Sequence, residues 1–370
     1  MRVLICPDKF KGSLTATAAA RAIAKGVRRA IPRARVQLMP LADGGEGSME
    51  LLGQAYGLQE RRLKVTGPLR KPVRATYYLG AGRAVIESAV ACGLHLVPAP
   101  RRDPAHTTTV GVGMLLDEAL SRGARDILLL LGGSATNDCG AGMAAALGYR
   151  FLTRDGTDMV PTGESLRYVH RIDPTARSAA LLTAKITVLC DVDNPLLGPH
   201  GATYTYARQK GAAEERLYEL EENMRHFARL LGRDLGADVA EIPGAGAAGG
   251  LGAAALAFLG ATLRSGTEVI LEAVDFHDAA AGADLVITGE GSIDDQTLRG
   301  KVIAGVVAAG RPTLAVCGRS DLTAGQLGVK DILSLDRYPR LSTTEKITRA
   351  AELVENLTYD YFSGPHAFSG

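Results

Sequence analysis

The chain has 370 residues, 46% of them hydrophobic but only 5% aromatic, and a formal net charge of +2. That is length enough for a sizeable core and about two domains. The near-neutral balance excludes nucleic acid as an expected partner, because pairs such as Arg28–Arg29, Arg61–Arg62 and Arg101–Arg102 lack interleaved aromatics and read as solvated surface. The cysteines (Cys6, Cys92, Cys139, Cys190 and Cys317) form no C-x-x-C, which argues against a disulfide framework or zinc site and suits a reducing cytoplasm.

The opening, MRVLICPDKFKG, reads as a strand (2–7) and a loop rather than a signal peptide. A helix follows, opened by Ser13 or Thr15 as N-cap, with Ala18, Ala22, Ile23 and Val27 on one face. RVQLMPLADGGEG (35–47) gives a second strand and loop, and SMELLGQAYG a second helix stopped at Gly57. This βαβα start implies a parallel sheet with right-handed crossovers. Residues 61–89 carry Gly-Pro and Lys-Pro turns between β-rich pieces and read as hairpins. Long elements then return: a helix over 109–122, a strand at 126–131, a helix after Gly140, a strand at 186–192 and a charged helix over 212–231. Ile242 to Leu263 carries no charge and is long enough to span a bilayer, but it is mostly Ala and Gly, so it reads as a buried helix following a glycine loop. ADLVITGEG (283–291) is a strand and turn. KVIAGVVAAG is a helix, TLAVCG (313–318) and DILSL (331–335) are strands, TEKITRAAELVENL (344–357) is a last helix, and HAFSG a frayed end.

The fold class is therefore α/β, with two domains: a doubly wound parallel sheet with a second α/β domain inserted into it. The expected boundaries are 1–62 plus 281–370 for the first and 63–280 for the second, with the active site in the cleft where the two face each other.

The chemistry must come from loops at strand ends. Neither a phosphate-binding G-x-x-x-x-G-K-[ST], nor the protein-kinase motifs, nor a G-x-S-x-G elbow is present, and the seven histidines sit singly, without metal-ligand spacing. A G-x-G-x-x-G (Gly244, Gly246, Gly249, with Glu268 downstream) is a weak dinucleotide fingerprint. It follows Pro243 instead of a strong strand, yet it keeps an NAD(P)-dependent oxidoreductase as an alternative. Five loops combine glycine with acids, hydroxyls and lysines: Pro7–Ser13, Ala42–Gly47, Gly132–Asp138, Cys190–Pro195, and Thr288–Asp294 trailed by Gly300-Lys301. Each follows an apolar run and belongs at the carboxyl end of a strand, where open α/β sheets bind ligands. Carboxylates, amides and lysines with no His or Cys nucleophile suit phosphoryl transfer, which asks mainly for positioning and charge neutralisation.

PDKFKGSLTA, LADGGEGS, IESA…GL, TTTVGVG, LGGSATNDCGAGM, CDVDNPLLGPHGA, PGAGAAGGLGAA and ITGEGSIDDQT…GK closely resemble, in order, the blocks of the bacterial glycerate kinases of the first type. The resemblance runs from the first strand to about Gly318. It implies ATP-dependent phosphorylation of D-glycerate, with 2-phosphoglycerate the favoured product, and a Rossmann- or flavodoxin-like domain. The residue roles are assigned from chemistry. Asp191 or Asp43 orients or deprotonates the hydroxyl, and Lys9 or Lys11 neutralises the transferring phosphate. Gly132, Gly133, Ser134, Thr136, Asn137, Asn194, Gly289, Gly291 and Lys301 bind substrate or phosphate, while Asp138, Asp193 and Glu290 are candidates for Mg²⁺. Asp8 and Asp294 stand behind them. ATP and Mg²⁺ are the expected co-substrate and cofactor, and neither a membrane nor nucleic acid is expected as a partner. A homodimer is the oligomer considered, and the location expected is cytoplasmic. A small-acid sensor that lost turnover is the non-catalytic alternative, but all five carboxylate-bearing loops are intact.

Overall fold

The computed structural model describes residues 1–298 and 301–364; Gly300 and the HAFSG run with His366 lie outside the described residues. In chain order the strands are β1 (Arg2–Ile5), β2 (Arg35–Leu38), β3 (Gln59–Thr66), β4 (Pro72–Gly80), β5 (Arg83–Glu87), β6 (Asp126–Leu130), β7 (Arg150–Leu152), β8 (Asp158–Met159), β9 (Arg171–Asp173), β10 (Lys185–Leu189), β11 (Thr262–Arg264), β12 (Leu285–Ile293), β13 (Thr313–Ser320) and β14 (Asp331–Ser334). The chain divides into two compact units, Met1–Leu51 with the residues from Gly266 onward, and Leu52–Ser265. These bounds differ from the expected 62/63 and 280/281 for physical reasons. β3 pairs with β4 from Gln59 onward, so residues before 62 already belong to the second unit's sheet. The helix Gly266–Ala273 packs its Thr267 and Leu271 against Gly305, which ties it to the first unit.

The first unit is one sheet in the order β14-β13-β12-β1-β2, with every pairing parallel. Counted within the unit, that is the flavodoxin-like order 2-1-3-4-5, whose switch point lies between β1 and β12. The helix Ala16–Ala30 starts at Thr15, whose side chain accepts from the Ala18 amide, and buries Ala19, Ala20, Ile23, Ala24 and Val27. With Val354 and Leu357 of the helix Ala350–Ser363 it covers one sheet face over Val3, Ile5, Ile287, Leu314 and Val316. Ile303 and Leu327 cover the other face over Ala315 and Cys317, so the sheet is doubly wound. β12 runs through Gly289 and Gly291 to Ile293; the expected turn is strand, held in register with Val316 to Ser320 of β13. The expected last helix is two, Thr343–Thr348 and Ala350–Ser363.

The second unit carries a six-stranded sheet in the order β11-β10-β6-β5-β4-β3. β5, β6, β10 and β11 are parallel, and β3, β4 and β5 form the antiparallel meander that the Gly-Pro turns predict. A small antiparallel sheet, β8-β7-β9, lies beside it. Phe151, Phe227 and Phe258 are all buried and stack at tilted or edge-on angles. Tyr149 joins them edge-on and donates its hydroxyl to the Phe258 carbonyl at 2.7 Å. Truncating one of these phenyl rings to Ala would cost about 3–5 kcal/mol. The charged helix spans Leu217–Leu235 rather than 212–231. In the uncharged stretch 242–263 a turn leads into the helix Ala247–Leu259, and Ala248, Gly249 and Gly250 within it have left-handed backbone angles. Among the described residues no helix is long and apolar enough to cross a membrane.

Candidate active site

In the first unit the loop after β1 meets β12 at the switch point. The Asp8 amide donates to the Gly289 carbonyl at 2.8 Å, and the Thr288 hydroxyl to the Cys6 carbonyl at 3.1 Å. Lys9 turns toward the 42–47 loop. Its ammonium lies 3.7 Å from an Asp43 oxygen and donates to the Glu46 carbonyl at 2.9 Å, while Asp43 also accepts from the Gly45 amide at 3.1 Å. Glu290 is buried, and one of its oxygens accepts from the Thr297 hydroxyl at 2.6 Å. Burial holds its carboxyl above the usual range, against the pull of Thr297 and the Lys301 charge. Lys301 occupies the N-cap of the helix Val302–Val307, Lys11 is exposed, and its backbone nitrogen lies beside Gly291. Asp8 is pushed up to about 7, first by burial and then by the Asp43 and Glu290 carboxylates. Asp294 caps the turn that carries Thr297. The unit therefore gathers Asp8, Lys9, Asp43, Glu290 and Lys301 at one end of its sheet, with burial and mutual repulsion raising the Asp8 and Glu290 carboxyls and Lys9 and Lys301 opposing that rise.

In the second unit the polar residues follow β5, β6 and β10, again at carboxyl ends. Gly132 and Gly133 are exposed, Ser134 to Asp138 buried. Both Asp138 oxygens are engaged by protein donors: the Thr109 amide and hydroxyl at 2.8 Å each, the Gly140 amide at 3.2 Å and the Gly142 amide at 3.4 Å. Three of these donors fall on Oδ2 and one on Oδ1, so Asp138 shapes its own loop, which favours a structural role over the metal role expected for it. Asn137 is fully buried and donates to the Thr203 hydroxyl. Asn194 is likewise used internally. Its amide donates to the His200 carbonyl at 2.7 Å, and its oxygen accepts from the Tyr206 hydroxyl. Asn194 is thus held within its own loop, whereas the Asn137 side-chain oxygen is buried without a hydrogen-bond partner among the described residues. Asp191 and Asp193, by contrast, are exposed after β10, with Asp191 accepting from the Ser265 hydroxyl at 3.2 Å.

Thr136 is engaged through its carbonyl, while its buried hydroxyl has no hydrogen-bond partner among the described residues. The carbonyl oxygen accepts from Lys210 at 2.8 Å, and the same ammonium reaches the Ser134 hydroxyl at 3.0 Å. Lys210, Thr109 and Thr297 are the residues that sequence reasoning missed. The run YTYARQKGA gives no sign that its lysine is buried, since a lysine beside a glycine is ordinarily surface.

The G-x-G-x-x-G glycines close backbone on backbone. A Cβ on Gly246 would fall 2.2 Å from the Pro195 carbonyl, and one on Gly249 would fall 1.9 Å from the Thr136 carbonyl. The segment before them is turn rather than strand. These glycines clamp the 132–138 and 190–195 loops from behind, and nothing supports the dinucleotide reading.

A family model described as the glycerate kinase family matches residues 3–363. The chain belongs to the glycerate kinase family. Glycerate kinase of Halalkalibacterium halodurans is 49% identical over 322 residues, covering 85% of each chain. Glycerate 2-kinase of Escherichia coli is 44% identical over 324 residues, covering 86% of this chain and 85% of its own. Among solved structures, a protein assigned as glycerate kinase 2 from Salmonella typhimurium superposes with a TM-score of 0.85 at 39% identity, covering 98% of this chain and 97% of that one.

Proposed function

We propose that this protein transfers the γ-phosphoryl group of ATP to D-glycerate and forms 2-phosphoglycerate. The observation that carries the reading within the fold is the set Asp8, Lys9, Asp43, Glu290 and Lys301 at a topological switch point, in a chain of the glycerate kinase family. Family membership supports the substrate and the nucleotide, and the Escherichia coli relative, a glycerate 2-kinase, supports the position. No covalent nucleophile competes with direct transfer. The cysteines are all unpaired, and burial pushes the thiols of Cys6 and Cys139 well above their ordinary range and Cys92 up to about 12. Unpaired cysteines also suit a cytoplasmic enzyme.

The roles follow from placement. Lys9 and Lys11 meet the negative charge of the phosphoryl group in flight, with Lys301 behind them. Either Asp43, oriented by Lys9 and the Gly45 amide, or the exposed Asp191 is the carboxylate that accepts the substrate's hydroxyl proton. The amides of the exposed Gly132 and Gly133 and the Ser134 hydroxyl bind an oxyanion. Among the described residues no group of three His, Cys, Asp or Glu side chains forms a preformed metal cage. Mg²⁺ carried on nucleotide phosphates needs only one or two carboxylates, and the crowded acids of the first unit fit that demand. Glu290 is the first unit's candidate to hold it and Asp193, considered by itself, the second unit's; when bound it would draw charge from the phosphate oxygens.

Phosphorus NMR of the product made from ATP, Mg²⁺ and D-glycerate tests activity and regiochemistry together. A 2-phosphate ester is expected. A 3-phosphate ester would refute the position, and no ester at all the activity. Asp191→Asn and Asp43→Asn, made separately, test the base: at least one should lower kcat by about 10²-fold or more. Near wild-type turnover in both would remove carboxylate-assisted deprotonation from the scheme.

A further inference from the structure

Lys210 ends the short turn of helix Arg208–Lys210 in the second unit and is only 3% exposed. Its ammonium has two protein acceptors, the Ser134 hydroxyl at 3.0 Å and the Thr136 carbonyl at 2.8 Å. Among the described residues it makes no ion pair. Asp138 acts on it only through space, with both oxygens already taken by Thr109, Gly140 and Gly142. Burial pulls the lysine down to about 8, so the fold holds a costly cation without a carboxylate beside it. Gly249 makes the arrangement tight: a side chain there would strike the Thr136 carbonyl and come within 3.0 Å of the ammonium.

The Ser134 hydroxyl has one lone pair capped by this cation and no protein acceptor among the described residues for its proton. A hydroxyl polarised in this way is a stronger donor toward anything beyond it. The two exposed glycines immediately before it leave that side of the loop open.

We infer that Lys210 is a positioning residue for the kinase reaction: from beneath the 132–138 loop it fixes Ser134 as a donor and lends the loop the positive charge that holds an oxyanion of one substrate, the glycerate carboxylate or a nucleotide phosphate. The inference rests on the glycerate kinase reading, which the wild-type product assay tests separately. Lysine and serine act as one unit. The lysine never touches substrate, and the serine is a good donor only while the lysine caps it.

The test is steady-state kinetics of Lys210→Met, Ser134→Ala and the double variant, with KM measured separately for D-glycerate and ATP and folding checked by thermal melting. Each single variant should raise KM for the same substrate by about tenfold, as expected for one lost charge-assisted hydrogen bond, while KM for the other moves less than about twofold. The double variant should be no worse than the weaker single, since the second change removes nothing further. Lys210→Arg, which keeps the charge, should recover part of the loss. A raised KM for D-glycerate identifies the carboxylate as the oxyanion, and a raised KM for ATP identifies a phosphate. Should Lys210→Met fail to fold, Ser134→Ala decides, because it leaves the lysine in place. Folded single variants with both KM values within about twofold of wild type, or single effects that multiply in the double variant, would overturn the inference.

Discussion

Gly249→Ala isolates the contact that ties the second glycine-rich stretch to the loop after β6. Gly249 has φ +75°, and the methyl group would fall 1.9 Å from the Thr136 carbonyl oxygen and 3.0 Å from the Lys210 ammonium. The left-handed backbone alone costs Ala about 1–2 kcal/mol. The steric part is separate. A carbon and an oxygen cannot sit at 1.9 Å, and the struck atom is backbone, so no rotamer change relieves it. Overpacking of this kind adds about 1–3 kcal/mol. The total, about 2–5 kcal/mol, corresponds to a fall in melting temperature of about 4–20 °C. Gly260→Ala is the control: its φ is +60°, but nothing lies within 4 Å of the added methyl, so only the backbone cost applies. Thermal melts of both variants beside wild type measure the difference. Gly249→Ala should also lower kcat/KM, because the displaced carbonyl is one of the two anchors of Lys210, whereas Gly260→Ala should leave it unchanged. Equal destabilisation by the two variants would refute the clamp.

Asp8, raised from about 3.8 to about 7 in the folded chain, binds a proton more tightly than the unfolded chain does. Stability should therefore fall as pH rises from about 4 to about 7, by on the order of 3 kcal/mol, and level off above. Asp8→Asn should flatten that slope and melt higher than wild type at pH 8; parallel melting profiles from pH 4 to 8 would rule out the carboxylate crowding. Asp138→Asn should lower stability by about 1–3 kcal/mol, because it turns one engaged acceptor into a donor facing a donor. The same variant should leave the concentration of Mg²⁺ needed for half-maximal turnover unchanged, and a tenfold rise in that concentration would restore Asp138 as a metal ligand.

Much of the architecture is legible because its signals are local. Apolar runs such as RVLI and DILLL sit in central strands, the Gly-Pro turns mark the meander, and the return of the opening pattern after residue 280 shows that one unit is built from both ends. The errors arise where one residue type serves two purposes. Gly289 and Gly291 read as a turn, yet β12 continues through both and β13 holds Gly289, Glu290, Ser292 and Ile293 in register, so pairing with a neighbouring strand overrides the local preference. Asp138, Asn137 and Asn194 are what a ligand site needs and also what a tight loop needs for its own amides. Only the partners around them bear on the choice, and these include the donors Thr109 and Tyr206 and the acceptor Thr203, all outside the local motifs. Lys210 was illegible for the converse reason, because its role depends entirely on burial.

The glycines of PGAGAAGG show why spacing alone misleads. In a dinucleotide fingerprint, glycine is present so that a pyrophosphate can approach the backbone. Here glycine is equally required, but the approaching atoms are the carbonyls of Pro195 and Thr136, from the two loops that follow β10 and β6. A sequence pattern records only that something comes close. Whether that is ligand or chain depends on which strand precedes the motif and what lies opposite it, and in this chain no strand precedes it. The consequence is functional as well as structural. The glycines that do not touch substrate fix the backbone of the loops proposed to do so, and a substitution behind the site should weaken catalysis through Thr136 and Lys210 without removing any atom that contacts a ligand.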